Sequence, residues 1–397
     1  MLFELKSKAV ISTSMKSVSF RYRQIFETLF NELGSGVFRP GQKMPSEADL
    51  VKRFGVSRVT VGRALRELQL QGLVERRAGS GTYARAGAAS GFTFGLIVPD
   101  LFRGEIFEPI CRGLAEAPRA ANHVLLWGHG ATDASAEDRS EQALNLCAQY
   151  INRRVSGVFF CPVDAPPPED RVNEQVLAAL EKARIPVVLL DRDCVPYPRR
   201  TRHDLVGIDH RRVAHRAAKH LIDLGARRIA FAAYTTPAES IRMRIAGYAD
   251  ALKAAGPSMN APVVVTLDQD TPQRNMEALR NLEVEGLVCA NDPTAGLAMH
   301  GLRALGKRVP RDVRIVGIDD VRYAALLPVP LTTLRQPCRE IGIAAMSAML
   351  ERLVRPDIPA RDILLECPLI VRDSCGAKKA PGHVSEETIR HKASAGE

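Results

Sequence analysis

Short apolar segments alternate with helix-like segments from Gly91 onward, and this repeat limits the fold more than any other feature of the chain. Eight apolar segments occur, among them FGLIVP, VSGVFFCP, IPVVLLD and VRIVGID. Strands that alternate with helices form parallel sheets wrapped by helices on both faces. About 280 residues is long for one such sheet, so we expect an α/β fold with two doubly wound lobes and a ligand cleft between them.

The residues before this repeat carry most of the positive charge. The chain of 397 residues has a net charge of +10, and residues 1–86 contain 15 Lys and Arg against 7 Asp and Glu. A basic module of this kind indicates a polyanionic partner such as nucleic acid, with a merely solvated basic face as the alternative. No apolar run is long enough for a membrane span and no signal peptide pattern is found, so we expect a cytoplasmic protein. The eight cysteines are scattered, and neither a metal nor a cofactor is predicted.

The basic module has the pattern of a winged helix. Three helices are predicted, in the segments RYRQIFETLFNELGSG, PSEADLVKRFG and VSRVTVGRALRELQLQG, and the segment LVERRAGSGTYA predicts a hairpin. Ser46 is a candidate N-cap with Asp49 in the capping-box position, and Ser57 begins the third helix. Two short helices joined at Gly55 form a helix-turn-helix.

The start of the third helix and the hairpin hold the candidate DNA contacts. A helix N-terminus and its hydroxyls suit phosphate, and Arg58 is placed to reach a guanine edge. Each residue also has a purely structural interpretation, as a cap, an internal hydrogen bond or a solvated charge. The candidates are Ser46, Ser57, Arg58, Thr60, Arg63, Arg76, Arg77, Gly81 and Thr82.

Residues 20–85 resemble the GntR family of DNA-binding domains. The resemblance rests on PGQKMPSEADL, FGVSRVTVGRAL and LQLQGLVERRAGSGTYA, in this order. The family usually has basic residues where this chain has Ala48 and Gly62, so the resemblance implies an operator that differs from the usual one. Gly62 is also unexpected within a helix, where glycine costs roughly 1 kcal/mol against alanine.

Polar residues follow the predicted strands of the larger domain. Strands end at Asp191-Arg192, at Asn291-Asp292 and at Asp319-Asp320, and Arg244 lies on the helix after RRIAFAAY. Carboxylates and an arginine that meet in a cleft suit a polyol, whose hydroxyls donate to Asp and accept from Arg. The alternative is that loop aspartates cap helices or make turns.

Residues 92–373 resemble the effector domain of the LacI family, which is similar to periplasmic sugar-binding proteins. The matching segments include VSGVFF, VGIDHRRVAHRAAKHLIDLGARRIAF, SIRMRIAGYADAL and CANDPTAGLAMHGLRALGKRVPRDVRIVGIDD. The resemblance implies that Arg244 and Asp292 are the strongest effector contacts. Members of the family often have two aromatic residues near the first strand, before a helix. In this chain Phe107 takes one of these places and Ile106 the other. The candidate effector residues are Phe107, Asp191, Arg192, Asp209, Arg244, Asn291, Asp292 and Asp320.

The resemblance also implies that the chain crosses three times between the lobes. Residues 91–208 and 335–356 are then expected in one lobe, and residues 209–330 with the tail in the other. The predicted division is an N-terminal extension (1–19), a winged helix (20–85), a linker (86–91), the effector domain (92–373) and a disordered tail (374–397). Met15 is an alternative start.

Together these patterns predict a transcription regulator rather than an enzyme. We expect a repressor that binds a palindromic operator in double-stranded DNA as a homodimer and responds to a small molecule, preferably a sugar. A solute-binding receptor without gene control is the alternative from another class. An enzyme that uses a dinucleotide or pyridoxal cofactor is a third interpretation, although GSGTY lies in a hairpin and is no dinucleotide motif.

Overall fold

The computed structural model divides by its tertiary contacts into two compact units. Unit 1 comprises Met1–Leu190, Thr201–Val206 and Arg339–Asp362, and unit 2 comprises Asp191–Arg200, Gly207–Cys338 and Ile363–Glu397. The residues described are 22–33, 37–39, 41–70, 73–77, 79–85, 91–98, 105–117, 123–128, 136–163, 171–234, 238–268 and 271–377. The predicted N-terminal extension, nearly all of the linker and most of the tail lie outside them.

Three helices and a hairpin form the N-terminal part of unit 1. They are α1 (22–33), α2 (Glu47–Phe54), α3 (Arg58–Leu70), β1 (Val74–Arg77) and β2 (Gly81–Ala84), and the two strands pair antiparallel. Each of the three helices buries apolar side chains. Examples are Leu29 of α1, Leu50 of α2 and Leu65 of α3, which are all fully buried. The apolar spacing therefore places one face of each helix in a shared core.

Local signals fix the turn between α2 and α3. Ser46 and Asp49 form a capping box, in which the Ser46 Oγ accepts from the Asp49 N–H at 3.2 Å. Gly55 ends α2 in the left-handed conformation with φ 62°, which favours glycine. Ser57 then accepts from the Thr60 N–H at 3.3 Å and so caps α3. These three short-range features give the helix-turn-helix its angle.

Gly62 has no packing partner that would exclude a side chain. A Cβ built there would meet, within 4 Å and among the described residues outside its own helix, only the Glu47 Oε1 at 3.9 Å. We therefore expect Gly62→Ala to stabilise α3 by about 1 kcal/mol through helix propensity alone. Slower hydrogen exchange of the α3 amides in the full chain would show this gain. Faster exchange would mean that the glycine relieves a contact in the native fold.

A six-stranded sheet forms the core of the rest of unit 1, in the order β13-β7-β6-β5-β3-β4. Its strands are β3 (Thr93–Ile97), β4 (Val124–Trp127), β5 (Gly157–Phe160), β6 (Val187–Asp191), β7 (Asp204–Ile208) and β13 (Asp362–Leu365). The helices that accompany it are α4 (Phe107–Glu116), α5 (Ala136–Asn152), α6 (Val172–Lys182) and α11 (Cys338–Val354). Strands β4, β3, β5 and β6 run parallel, as the alternation predicts.

A second six-stranded sheet forms the core of unit 2, in the order β14-β12-β11-β10-β8-β9. Its strands are β8 (Ile229–Ala233), β9 (Val264–Thr266), β10 (Gly286–Cys289), β11 (Arg314–Asp319), β12 (Thr332–Arg335) and β14 (Leu369–Ile370). Its helices are α7 (His210–Asp223), α8 (Glu239–Ala255), α9 (Pro272–Arg280) and α10 (Asp292–Ala304). The strands from β9 to β12 are parallel, so their carboxyl ends meet at one edge of the sheet.

The predicted boundaries need two corrections. Residues 191–200, 207–208 and 335–338 belong to unit 2, although they were expected in the first lobe. The disordered tail was expected from residue 374, but Ser374 and Cys375 are buried. The Ser374 Oγ accepts from the Thr332 N–H and donates to the Ile315 carbonyl, so these residues pack against the second sheet. In the described part of the chain, no helix has the length and hydropathy needed to cross a bilayer.

Candidate functional site

The exposed face of α3 is a surface that nucleic acid can reach. Val61, Leu65 and Leu68 bury the opposite face of the helix. The side chain of Arg58 is 81% exposed at the start of the helix, and Val59 beside it is 83% exposed. A helix that anchors one face and leaves its first turn in solvent has the arrangement with which a recognition helix enters the major groove.

Glu47 holds two of the predicted arginines in place. The Arg58 Nε donates to the Glu47 Oε2 at 3.0 Å, and Arg76 of the hairpin donates to the Glu47 Oε1. One carboxylate therefore connects the exposed turn of α3 with strand β1. Sequence reasoning did not assign a role to Glu47, because its two partners lie 11 and 29 residues away.

Two of the residues predicted to contact DNA through a hydroxyl lie inside the protein in this structure. Thr60 and Thr82 are buried, and the Thr60 Oγ1 lies 2.8 Å from the Ser57 Oγ, with which it shares a hydrogen bond. The Thr60 hydroxyl is therefore engaged at the start of α3 itself. Ser46 and Ser57 are exposed, and both cap helices. Their contacts in this structure are therefore those of the alternative interpretation, in which they have a structural role.

The other predicted DNA contacts lie around the same surface. The guanidinium of Arg63 stacks over the Tyr22 ring at 4.4 Å, and that of Arg77 over Tyr83 at 4.6 Å. Gly81 has φ 122°, a left-handed value that favours glycine, and a Cβ there would lie 2.9 Å from the Lys43 Cε. Lys43 thus adds an exposed cation next to the hairpin that the sequence analysis missed.

A glycine on α8 places the central arginine of unit 2. A Cβ at Gly247 would collide with the carbonyl oxygen of Arg211, so α8 approaches α7 closely only because this residue is glycine. Arg244 lies three residues earlier on the same face of α8. The close approach brings the guanidinium of Arg244 beside His210, the first residue of α7.

Arg244 connects three strand ends through a buried network. Its side chain donates to the His210 Nδ1 at 3.3 Å, to the carbonyl of Ala290, and to the Asp319 Oδ1 at 3.4 Å. Because arginine only donates, the proton of His210 lies on Nε2, which donates to the Asp191 carbonyl at 3.0 Å. Arg244 is 5% exposed, so the guanidinium acts within the protein interior.

Backbone strain marks the same strand ends. Asp191, Asp319 and Asp320 have φ values of 68°, 118° and 57°, in the region that residues other than glycine rarely adopt. Such conformations cost energy and are concentrated at binding and catalytic sites. Their position at the ends of β6 and β11 makes these three aspartates candidates for a binding role.

The carboxylates of this network differ in protonation. Burial raises the pKa of Asp319 to about 6, although the charge of Arg244 partly offsets it. Burial also opposes ionisation of Asp191, but His210, Arg192 and Arg244 outweigh it and hold its pKa well below the usual range. The Arg192 Nη1 donates to the Asp191 Oδ2 at 2.9 Å. The network thus keeps one firmly ionised carboxylate and one that a bound ligand can shift.

Asp292 does not have the exposed position expected of an effector contact. It is 0% exposed, and its oxygens accept from the Thr333 Oγ1 at 2.6 Å and from the Val321 N–H at 2.9 Å. A Cβ at Gly317 would collide with its Oδ1. The prediction is therefore corrected, since Asp292 joins α10 to β12 and the turn after β11.

Asp292 should make stability depend on pH. Burial, and next the charge of Asp319, raise its pKa from 3.8 to about 8. The folded chain then holds a proton that the unfolded chain has lost, so the free energy of unfolding falls as pH rises from about 4 to about 8. Asp292→Asn is expected to raise stability at pH 8 and to flatten this slope in urea unfolding at pH 5, 6.5 and 8.

The control for this test is Asp312→Asn. The pKa of Asp312 is lowered to about 2, chiefly by the hydrogen bond from Arg308, so its own contribution changes only below about pH 4. The slope between pH 5 and pH 8 should stay as in the parent chain. An Asp292→Asn variant that keeps the full slope would contradict the assignment, because Asp319 accounts for a residual slope only up to about pH 6.

Three further predicted residues also have internal partners. The Asp320 carboxylate pairs with Arg335 and Arg372, both at 2.7 Å. Asp209 caps α7 by accepting from the Arg212 N–H at 2.9 Å. Phe107 is the first residue of α4 in unit 1 and is buried. For Asp320, the structure shows two ion pairs in place of the predicted ligand contact.

Two amides and a tyrosine complete the polar edge of unit 2. The Asn291 Oδ1 caps α10 and accepts from the Tyr234 hydroxyl at 2.9 Å, which leaves its Nδ2 as the group it can offer a ligand. Gln336 follows β12 and is 4% exposed, yet neither side-chain polar atom has a partner within the described residues. The backbone N–H of Gln336 donates to the backbone carbonyl of Asp319 at 3.1 Å. A buried amide without partners requires an explanation, and a ligand supplies one.

The prediction missed His210, Tyr234 and Gln336 and left Asp319 out of the final set. Gln336 had a signal, because TTLRQP continues a strand whose end lies at the same edge. His210 had none, since only the packing of α7 against α8 brings it to Arg244. The structure thus brings together Asp191, Arg192, His210, Arg244 and Asp319 in one network.

Comparisons with known proteins agree with both parts of the chain. Residues 21–84 match the bacterial regulatory proteins of the gntR family, and residues 218–375 match the periplasmic binding protein-like domain. An arabinose metabolism transcriptional repressor from Halalkalibacterium halodurans is 27% identical over 391 residues, covering 92% of this chain and 99% of that protein.

Solved structures show the same relationship. The transcription regulator GntR from Chromobacterium violaceum is 27% identical with a TM-score of 0.57, covering 72% of this chain and 100% of that one. A LacI family transcriptional regulator from Enterococcus faecium, with bound ribose, is 24% identical with a TM-score of 0.57 and the same coverage, and this likeness bears on the fold.

The predicted fold class and the predicted functional class are confirmed by these matches. The relatives are regulators of transcription, and one family match covers the predicted winged helix while the other covers the C-terminal half of the predicted effector domain. The chain is therefore a transcriptional regulator whose residues 21–84 match the gntR family of bacterial regulatory proteins and whose residues 218–375 match the periplasmic binding protein-like domain.

Proposed function

We propose that the chain is a cytoplasmic homodimeric repressor whose affinity for a palindromic operator is controlled by a sugar. The α3 helix and the hairpin bind the operator, and the sugar binds at the carboxyl edge of the unit 2 sheet. The observation that carries the proposal is the buried network of Arg244, Asp319, His210 and Asp191, next to the buried Gln336 amide, which has no partner among the described residues. An interior of this kind is costly unless a polar ligand uses it.

The chemistry of the edge favours a neutral polyhydroxylated ligand. Sugar hydroxyls donate to the carboxylates of Asp191 and Asp319 and accept from the Asn291 amide and from Arg244. Gln336 offers both a donor and an acceptor. The arabinose metabolism repressor among the relatives supports a sugar, with pentoses as the first candidates.

Two measurements test the proposal. Footprinting of the region upstream of the gene should show a protected inverted repeat, with an affinity that falls steeply as salt increases. The melting temperature is then measured in the presence of pentoses, hexoses, sugar acids and nucleobases. It should rise with ligand concentration for a sugar only, since a ligand of the folded state stabilises that state by mass action. Protection without symmetry would exclude the dimer, and stabilisation by a nucleobase alone would exclude the sugar.

A further inference from the structure

Val59 is an apolar side chain exposed where a DNA-binding helix meets its target. It is 83% exposed and lies between Arg58, which is exposed, and Thr60, which is buried. The remaining apolar side chains whose burial is known on α3, those of Val61, Ala64, Leu65 and Leu68, are buried. Single exposed apolar side chains are common on protein surfaces, so it is the setting of Val59, beside Arg58 on the exposed first turn of α3, that points to a partner.

The surface next to Val59 is open because residue 62 is glycine. Positions 59 and 62 are three apart and lie one above the other on the same helix face. A Cβ at Gly62 would have only the Glu47 Oε1 within 4 Å among the described residues outside its helix. The apolar side chain of Val59 and the open space beside Gly62 thus form a small surface on the exposed side of α3, which we call the valine notch.

The neighbouring Arg58 indicates which chemical group the valine notch binds. Arg58 lies next to Val59 in the chain, and its Nε is 3.0 Å from the Glu47 Oε2. The side chain of Arg58 nevertheless remains 81% exposed. In the major groove the thymine 5-methyl group is the apolar feature that a side chain can contact, whereas arginine binds the N7 and O6 of guanine. One turn of α3 thus carries an apolar side chain that can contact a thymine methyl group and an arginine that can bind guanine. Such a turn is suited to contact two adjacent base pairs.

We propose that the valine notch binds the 5-methyl group of a thymine in the base pair next to the guanine that Arg58 contacts. This inference rests on the proposed function, since it assumes that α3 enters the major groove of the operator. It adds Val59 as a residue that determines specificity. It also gives Gly62 a role, because a side chain there would fill the space that the methyl group occupies.

The test compares thymine with deoxyuridine, which lacks only the methyl group. An operator is first selected from random DNA with the full chain, and each thymine of one half-site is then replaced singly. Fluorescence anisotropy at constant salt should show one position where the parent chain binds about four-fold more weakly, equivalent to one buried methyl group at about 0.8 kcal/mol. Val59→Ala should bind the thymine operator about four-fold more weakly and should not distinguish the two bases at that position.

Val59→Ile is the matched control, because it keeps an apolar side chain and should still prefer thymine. The substitution Val59→Ala removes no packed contact, and circular dichroism of the full chain checks that α3 persists. Equal affinity of the parent chain for every deoxyuridine operator, or an undiminished preference for thymine in Val59→Ala, would overturn the inference. A parent chain that selects no sequence at all would instead refute the proposed function.

Discussion

Arg244→Ala is expected to abolish the stabilisation of the chain by its sugar ligand, with a loss of affinity on the order of 100-fold, or about 3 kcal/mol. The guanidinium donates to His210, to the Ala290 carbonyl and to Asp319, so it is the common partner of three elements. Without it, the buried Asp319 carboxylate loses the ion pair with Arg244 that offsets its burial. Its pKa, already raised by burial to about 6, should rise further, and the carboxylate becomes a poorer acceptor.

The measurement is the increase in melting temperature on adding the sugar, taken relative to each variant without sugar. Arg242→Ala is the matched control, because Arg242 lies on the same helix, is exposed, and pairs with Glu239. It should keep the full increase. Operator binding without sugar should remain in Arg244→Ala, since the substitution lies in unit 2. An Arg244→Ala chain that still responds to the sugar at parental concentrations would remove Arg244 from the binding site.

Arg58→Ala is expected to weaken operator binding 10- to 100-fold per half-site, as the loss of one bidentate contact to guanine costs about 1–3 kcal/mol. The loss should be confined to the selected operator, because a base contact carries sequence information whereas a phosphate contact does not. Glu47 retains Arg76 as its partner in this variant, so the hairpin should keep its position.

Affinity for operator and for random DNA, measured at several salt concentrations, distinguishes these roles. Arg66→Ala is the matched control, since Arg66 is exposed on the same helix two turns later. It should alter binding to both DNAs equally, if at all. An equal loss for operator and random DNA in Arg58→Ala would show that Arg58 contacts phosphate rather than a base.

The apolar pattern indicated the edge of the sheet at which the polar network lies, but it could not separate neighbouring carboxylates at that edge. Strand ends are visible in the apolar pattern, and this is why Asp191 was a candidate, whereas Arg244 lies on a helix and was a candidate through the family resemblance. Successive residues of a strand point to opposite faces. The pattern could not tell Asp319, which meets Arg244, from Asp320, which pairs with Arg335 and Arg372.

Asp292 shows the same limit in another form. Its place after a strand matched that of a ligand contact, but the missing side chain at Gly317 admits its carboxylate to the interior. There it receives hydrogen bonds from β12 and from the turn after β11. Burial of one residue depends on the volume of another that is distant in the chain, and periodicity holds no information about that volume.

Features that depend on neighbours in the chain followed from the residues alone. These are the α/β alternation, the capping box at Ser46, the turn at Gly55 and the arginine at the start of α3. Helix caps and amphipathic periods involve residues up to four apart, so local composition specifies them. The pairing of Glu47 with Arg58 and Arg76, the contact of His210 with Arg244 and the buried amide of Gln336 required the folded chain. Each of these depends on how separate elements pack, and packing is set by the shapes of many side chains at once.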